Sequence, residues 1–148
     1  MKLSEIQIQE IAGDLNMGMR CLYHLKTGEI EAIPDFDDSS WYGCDMELWQ
    51  EKMDKVEENW GYYFEFEKMT SHESFEIMAD FVETVENQDL QERLFNALNK
   101  PKPFRNFKWE IDNSGQYRQK WFEFKDQRWI EFVKSQIEQY NKEFPDNN

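Results

Sequence analysis

Hydrophobic periodicity changes once along this chain, and that change limits its fold more than any other feature. Residues 20–34 and 62–68 alternate with period two, the repeat of a pleated strand, whereas everything from Thr70 onward repeats at helical intervals. Cys21, Tyr23 and Leu25 alternate with Leu22 and His24, and Ile30, Ala32 and Ile33 carry the apolar pattern on. Between them Lys26-Thr27-Gly28-Glu29 suits a tight turn, because glycine reaches positive φ without a Cβ clash. The spacing predicts a β-hairpin ended by Pro34. Aromatic and acidic residues alternate over 62–68, which predicts a third strand and a small antiparallel sheet with one dry face.

Helices fill the rest. Ser4 is placed to cap a first helix through Leu15, with Ile6, Ile11 and Leu15 as its apolar stripe and Asn16 to Gly18 as its end. Asp45 is placed to cap another, to about Asn59, striped by Met46, Trp49, Met53, Val56 and Trp60. Thr70-Ser71-His72-Glu73 has capping-box spacing, and Phe75, Met78, Ala79, Val82 and Val85 follow it as a stripe. Asn87 breaks the pattern and caps a helix from Leu90 to about Asn99, carrying Leu90, Leu94, Phe95 and Leu98. Lys100-Pro101-Lys102-Pro103 stops that helix, since proline lacks the amide and restrains the residue before it. A short helix over 104–111, a turn at 112–115 and a last helix over about 116–142 complete the pattern. Aromatics lie so widely around the last helix that it should touch more than one neighbour.

The expected class is therefore α+β: a hairpin plus one strand, followed by a mostly helical C-terminal two-thirds. With 148 residues, few Gly and Pro and no internal repeat, a single domain over 1–148 is expected. Within it, 1–69 would hold the helix, hairpin, helix and third strand, 70–144 the helical region and 145–148 a tail. Aromatic residues make up 16% of the chain, which argues against disorder despite a net charge of −14. Two cysteines cannot build a disulfide framework, the first residues lack a signal-peptide core, and no run reaches ~18 apolar residues. A soluble cytoplasmic protein is expected, with no membrane contact.

Catalytic motifs are missing. There is no G-x-S-x-G, no C-x-x-C and no glycine-rich phosphate loop. His24 and His72 have no partner at ligand spacing, and Cys21 lies on the opposite strand face from His24. Asp35, Asp37, Asp38 and Asp45 offer hard oxygens without the glycine and terminal glutamate of a calcium loop, so a solvated acidic loop is the preferred reading. No catalytic residue, metal or cofactor is assigned. Among 31 carboxylates nothing selects a hydrolytic pair, and a carboxylate hydrolase rests on abundance alone.

Charge is divided unevenly. Residues 1–98 carry a net −16, whereas 99–134 carry +4 together with nine aromatics between Phe104 and Phe132. Cations that track phosphate and rings that stack on bases are what single-stranded nucleic acid sites use. Phe104, Arg105, Phe107 and Lys108, preceded by Lys102, alternate rings with cations, and Trp121, Phe124, Lys125, Asp126 and Arg128 repeat the arrangement on the last helix. These ten residues are the candidate binding set. Against a phosphate-facing shelf stands an internal clamp, with rings in the core and cations paired to acids, and the clamp is the preferred reading.

The same residues carry a resemblance. Arg93-Leu94-Phe95-Asn96-Ala97-Leu98, Lys102-Pro103-Phe104-Arg105-Asn106-Phe107-Lys108 and Trp121-Phe122-Glu123-Phe124-Lys125-Asp126-Gln127-Arg128 resemble the uncharacterised protein family 0158 of the UPF series. Its pattern is an RL..AL.G…FR.FK block followed by W..F.D.R on the last helix. Ile77 to Val82 is similar to its M..F helix, and Leu25 to Ile33 to its strand–turn–strand. This chain departs from the pattern at Asn99-Lys100-Pro101, where the family usually has glycine, and at Trp129, where it usually has an aliphatic residue. The resemblance implies the fold and a bacterial cytoplasmic setting, and carries no activity.

Two functions remain in contention. One is a non-enzymatic protein-interaction or regulatory module, meeting a protein partner or itself through aromatic surface. The other is a nucleic-acid or phosphate binder using the basic aromatic patch of residues 100–128.

Overall fold

A computed structural model describes residues 1–36 and 45–145. Its elements are α1 (Glu5–Asn16), β1 (Met19–His24), β2 (Ile30–Pro34), a 3-10 turn (Met46–Trp49), α2 (Gln50–Glu58), a second 3-10 turn (Trp60–Tyr62), β3 (Tyr63–Glu65), α3 (Ser71–Thr84), α4 (Gln88–Leu98), α5 (Pro103–Asp112) and α6 (Tyr117–Glu143). The class is α+β: an antiparallel sheet of order β2-β1-β3, then a helical C-terminal part. Contacts group the residues into two compact units, 1–68 with the chain from Trp129 onward, and 69–128.

In the first unit Ser4 Oγ accepts from the Gln7 amide while Gln7 Oε1 accepts from the Ser4 amide, a reciprocal cap at the start of α1. The buried face of α1 is Ile8, Ile11, Ala12 and Leu15, and Ile6 is 67% exposed. Steps of three and four keep 8, 11 and 15 in line, whereas five residues from Ile6 to Ile11 turn the helix well off that line. The hairpin closes as expected, with Met19 opposite Pro34, Tyr23 opposite Ile30, and Gly28 at φ 76°. His24 Nδ1 accepts from the Lys26 and Thr27 amides, which fixes the turn and leaves the ring proton on Nε2.

The expected single dry face is corrected. Cys21 and Leu22 point to opposite faces of β1, and both are fully buried. Cys21 lies beneath α1, its Sγ 3.9 Å from the Ile11 carbonyl oxygen, while Leu22 packs with Ile33 and Val56. Burial pushes the Cys21 thiol up to about 12. The third strand is also shorter than 62–68. Beyond Glu65, the Gln136 side chain of α6 accepts from the Glu67 amide at 2.8 Å and donates to its carbonyl at 3.0 Å. A side-chain amide thus takes the place of a neighbouring strand and occupies the edge.

Asp45 caps as expected, accepting from the Glu47 amide, but the first turn is 3-10 and α-helix begins only at Gln50. Of the expected stripe Val56 is buried, Trp49 and Met53 are half-buried, and Met46 and Trp60 are exposed. Asp37, Asp38 and Cys44 lie outside the described residues. Asp35 pairs with Lys68 at 2.8 Å.

The second unit opens on the Thr70–Glu73 capping box. Its core joins Ile77, Phe81 and Val82 of α3 to Leu90, Leu94 and Leu98 of α4, with Phe107 and Ile111 of α5 and Trp121 of α6. Leucines at 90, 94 and 98 repeat every fourth residue, so one ridge of α4 faces inward. Residues 117–128 of α6 count with this unit and 129–143 with the first, where Trp129, Val133 and Tyr140 are buried. That division accounts for the spread of aromatics around the last helix.

Candidate interaction surface

Both candidate surfaces belong to the second unit. The first is a groove of about 500 Å³ lined by Phe75, Ala79 and Val82 of α3 and by Phe95 and Leu98 of α4. Phe95 is 60% exposed, because the leucine ridge takes the inward face and the next residue round the helix is turned out of it. The Gln91 side chain donates to the Val82 carbonyl at 2.9 Å and closes the end where α3 stops. Glu83 and Glu92 stand on the rim, and neither makes an ion pair among the described residues. The nearby acids Asp80 and Asp89 are taken by Arg128 and Arg93, at 2.8 Å and 3.1 Å.

The second surface is α5. Lys102, Arg105, Asn106, Lys108, Trp109 and Asp112 outline a shallow hollow of about 490 Å³. Lys102 takes the left-handed conformation at φ 60° just before Pro103, the first residue of the helix. Proline at the helix start bars the ordinary helical conformation from the residue before it, and Lys102 takes the left-handed one rather than the commoner extended one. Lys102, Arg105 and Lys108 are exposed and make no ion pair among the described residues. Trp109, one turn beyond Arg105, is 64% exposed.

The ten candidate residues therefore separate. Phe107 and Trp121 are core side chains, with rings 4.9 Å apart in an edge-to-face arrangement. Phe124 is half-buried and meets Phe81 edge-on at 5.4 Å. Arg128 is clamped to Asp80 and lies over the Phe124 ring at 5.7 Å. Lys125 is half-buried, and burial, with the Lys108 charge acting in the same direction and Asp126 opposing, lowers its ammonium from the ordinary range. Asp126 is exposed and forms no ion pair among the described residues. Phe104 is 45% exposed, so Lys102, Phe104, Arg105, Lys108 and Asp126 are the solvent-facing members of the set. On α6 the rings and Arg128 are packed or paired while Asp126 is open, and near α5 Phe107 is in the core while the cations and Phe104 face outward.

Sequence reasoning missed the groove and the exposure of Trp109. A signal for Phe95 existed, since a strict fourth-residue leucine run leaves its neighbour outside the buried ridge. None existed for Phe75, which belongs to an apolar stripe broader than the helix buries.

Among the described residues no helix is long and apolar enough to cross a membrane, and no group of three His, Cys, Asp or Glu side chains is placed to hold a metal. No curated protein and no solved structure matches the chain. A family model described as an uncharacterised protein family (UPF0158) matches residues 41–144, which takes in α2, β3 and α3 to α6 and leaves the hairpin outside. With more than two-thirds of its length matched, including both surfaces, the chain belongs to the uncharacterised protein family UPF0158.

Proposed function

We propose that this chain is a non-enzymatic protein-interaction or regulatory module whose α3–α4 groove receives a protein segment. The observation that carries the reading is the groove itself: an exposed phenylalanine and apolar walls gain most by excluding water, and a ring-lined cleft between helices is a common seat for a partner helix. Phe95→Glu places a charge on that wall at a position 60% exposed, so folding should survive while binding is lost. Affinity capture with the wild-type chain and the variant, followed by thermal unfolding of both, tests it. A partner or self-complex lost on Phe95→Glu supports the groove. One recovered equally by both proteins removes it, and a chain that recovers nothing and stays monomeric removes the module.

A second reading is favoured by one observation, the three exposed cations of α5 beside the Trp109 ring. On this reading α5 binds single-stranded nucleic acid, with affinity that falls steeply with salt as counterions are released. Titration of labelled RNA and DNA at two salt concentrations, with Arg105→Glu and Lys108→Glu as the variant, decides it; salt-independent or retained binding refutes it.

A further inference from the structure

We propose that the occupant of the α3–α4 groove is a second copy of this chain, which seats the Trp109 face of its own α5 there. The inference rests on the interaction reading above and names its partner. The groove states what it will accept: apolar walls around Phe95, and on the rim Glu83 and Glu92, two carboxylates without an ion pair among the described residues. The matching surface is a helix face with a protruding ring and cations within one turn of it.

Helix α5 is such a face. Trp109 protrudes, Arg105 lies one turn before it on the same side of the helix, and Lys108 adjoins both. Phe107 and Ile111 hold the opposite side of α5 in the core, so the Trp109 side is the one left outward. A ring of this size is the side chain that most often anchors an interface when it enters a dry pocket, and paired charges at the rim set its orientation.

No residue lines both surfaces, so a single copy does not fill its own groove with its own tryptophan. Each copy therefore carries one unfilled socket and one unused plug. Reciprocal exchange gives a closed dimer, and one-way exchange gives a ring or an open series. The chain's net charge of −14 opposes any such contact at long range. A junction that brings the basic α5 against the acidic α3–α4 surface lowers that repulsion, which favours this pairing.

Sedimentation equilibrium of the full chain over about 10–500 µM, where a small interface with one aromatic anchor associates, tests the proposal. The expected result is a mass that rises with concentration. Two charge-reversed chains then identify the contact: Arg105→Glu with Lys108→Glu, and Glu83→Lys with Glu92→Lys, all at exposed positions. Each alone should associate at least about tenfold more weakly than the wild type, and an equimolar mixture should recover association, because each plug then meets a socket of opposite charge. Trp109→Ala should weaken association without lowering the thermal midpoint.

A wild type that stays monomeric throughout overturns the proposal, as does a mixture no more associated than its components. A groove that takes a different protein would still show Phe95→Glu-sensitive capture by a monomeric chain, so failure of this inference is distinguishable from failure of the interaction reading. If the α5 reversal abolishes RNA binding while the wild type remains monomeric, α5 serves nucleic acid instead.

Discussion

Phe104 and Phe107 stand three residues apart in the same basic segment, yet their replacement by alanine should have very different consequences. Phe107 is 1% exposed and meets the Trp121 ring at 4.9 Å within a cluster that includes Leu94 and Ile111. Removing a fully buried phenylalanine forfeits about 1.5–3 kcal/mol of transfer free energy. The unfilled space and the lost edge-to-face pair bring the cost to about 3–5 kcal/mol. Phe104 is 45% exposed, so its removal should cost about 1 kcal/mol. Urea unfolding followed by Trp fluorescence separates the two. With a urea dependence of about 1–3 kcal/mol per molar, Phe107→Ala should move the midpoint of the 69–128 unit down by more than 1 M, several times the shift of Phe104→Ala. Equal shifts, or a cost below about 1 kcal/mol at Phe107, would refute the assignment of that ring to the core.

Three further outcomes follow from local geometry. Lys102→Gly should raise stability by about 1 kcal/mol, since φ 60° strains any residue with a Cβ; a lower thermal midpoint would show the turn to be held by the lysine side chain. Thr70→Ala removes the oxygen that accepts from the Glu73 amide and should cost about 1 kcal/mol, read as a lower urea midpoint, with an unchanged midpoint counting against the cap. For Cys21 the folded-state thiol is raised from 9.0 to about 12, so the unfolded chain loses its proton first. The stability this group contributes is whole below pH 9 and declines as pH rises toward 12, by a total on the order of 4 kcal/mol. Urea midpoints measured from pH 8 upward should therefore fall faster for the wild type than for Cys21→Ala, and parallel curves would contradict a buried thiol.

Much of the secondary structure was legible because its signals are local. A Thr-x-x-Glu cap, a Thr-Gly turn and a Lys-Pro stop act within a few residues, and each lies where the spacing puts it. Which face of each element is buried depends on the remainder of the chain. Nothing around Ile6 shows that Ile8 is the inward residue, and nothing in the alternation of Cys21 and Leu22 shows that α1 covers one side of the strand while Val56 covers the other. The candidate site was half legible for the same reason. Composition marked residues 100–128 as basic and aromatic, yet exposure sorted them: Phe107 and Trp121 went to the core, Arg128 to Asp80, while Lys102, Phe104, Arg105 and Lys108 stayed open. The groove gave little notice, because an exposed Phe95 and a buried Leu94 look alike in a list of apolar residues.

Residues 69–128 form an uninterrupted stretch of chain, whereas the sheet-bearing unit draws on both ends of the sequence. During synthesis the two therefore close at different times. The helical unit is complete in sequence once Arg128 has left the ribosome. The sheet, although made first, waits for Trp129, Val133, Gln136 and Tyr140, and until then the edge beyond β3 lacks the side-chain amide that later occupies it. The sheet, made before the helical unit, is thus sealed after it, and for that interval an open strand edge, rather than the finished molecule, is the form most exposed to mispairing.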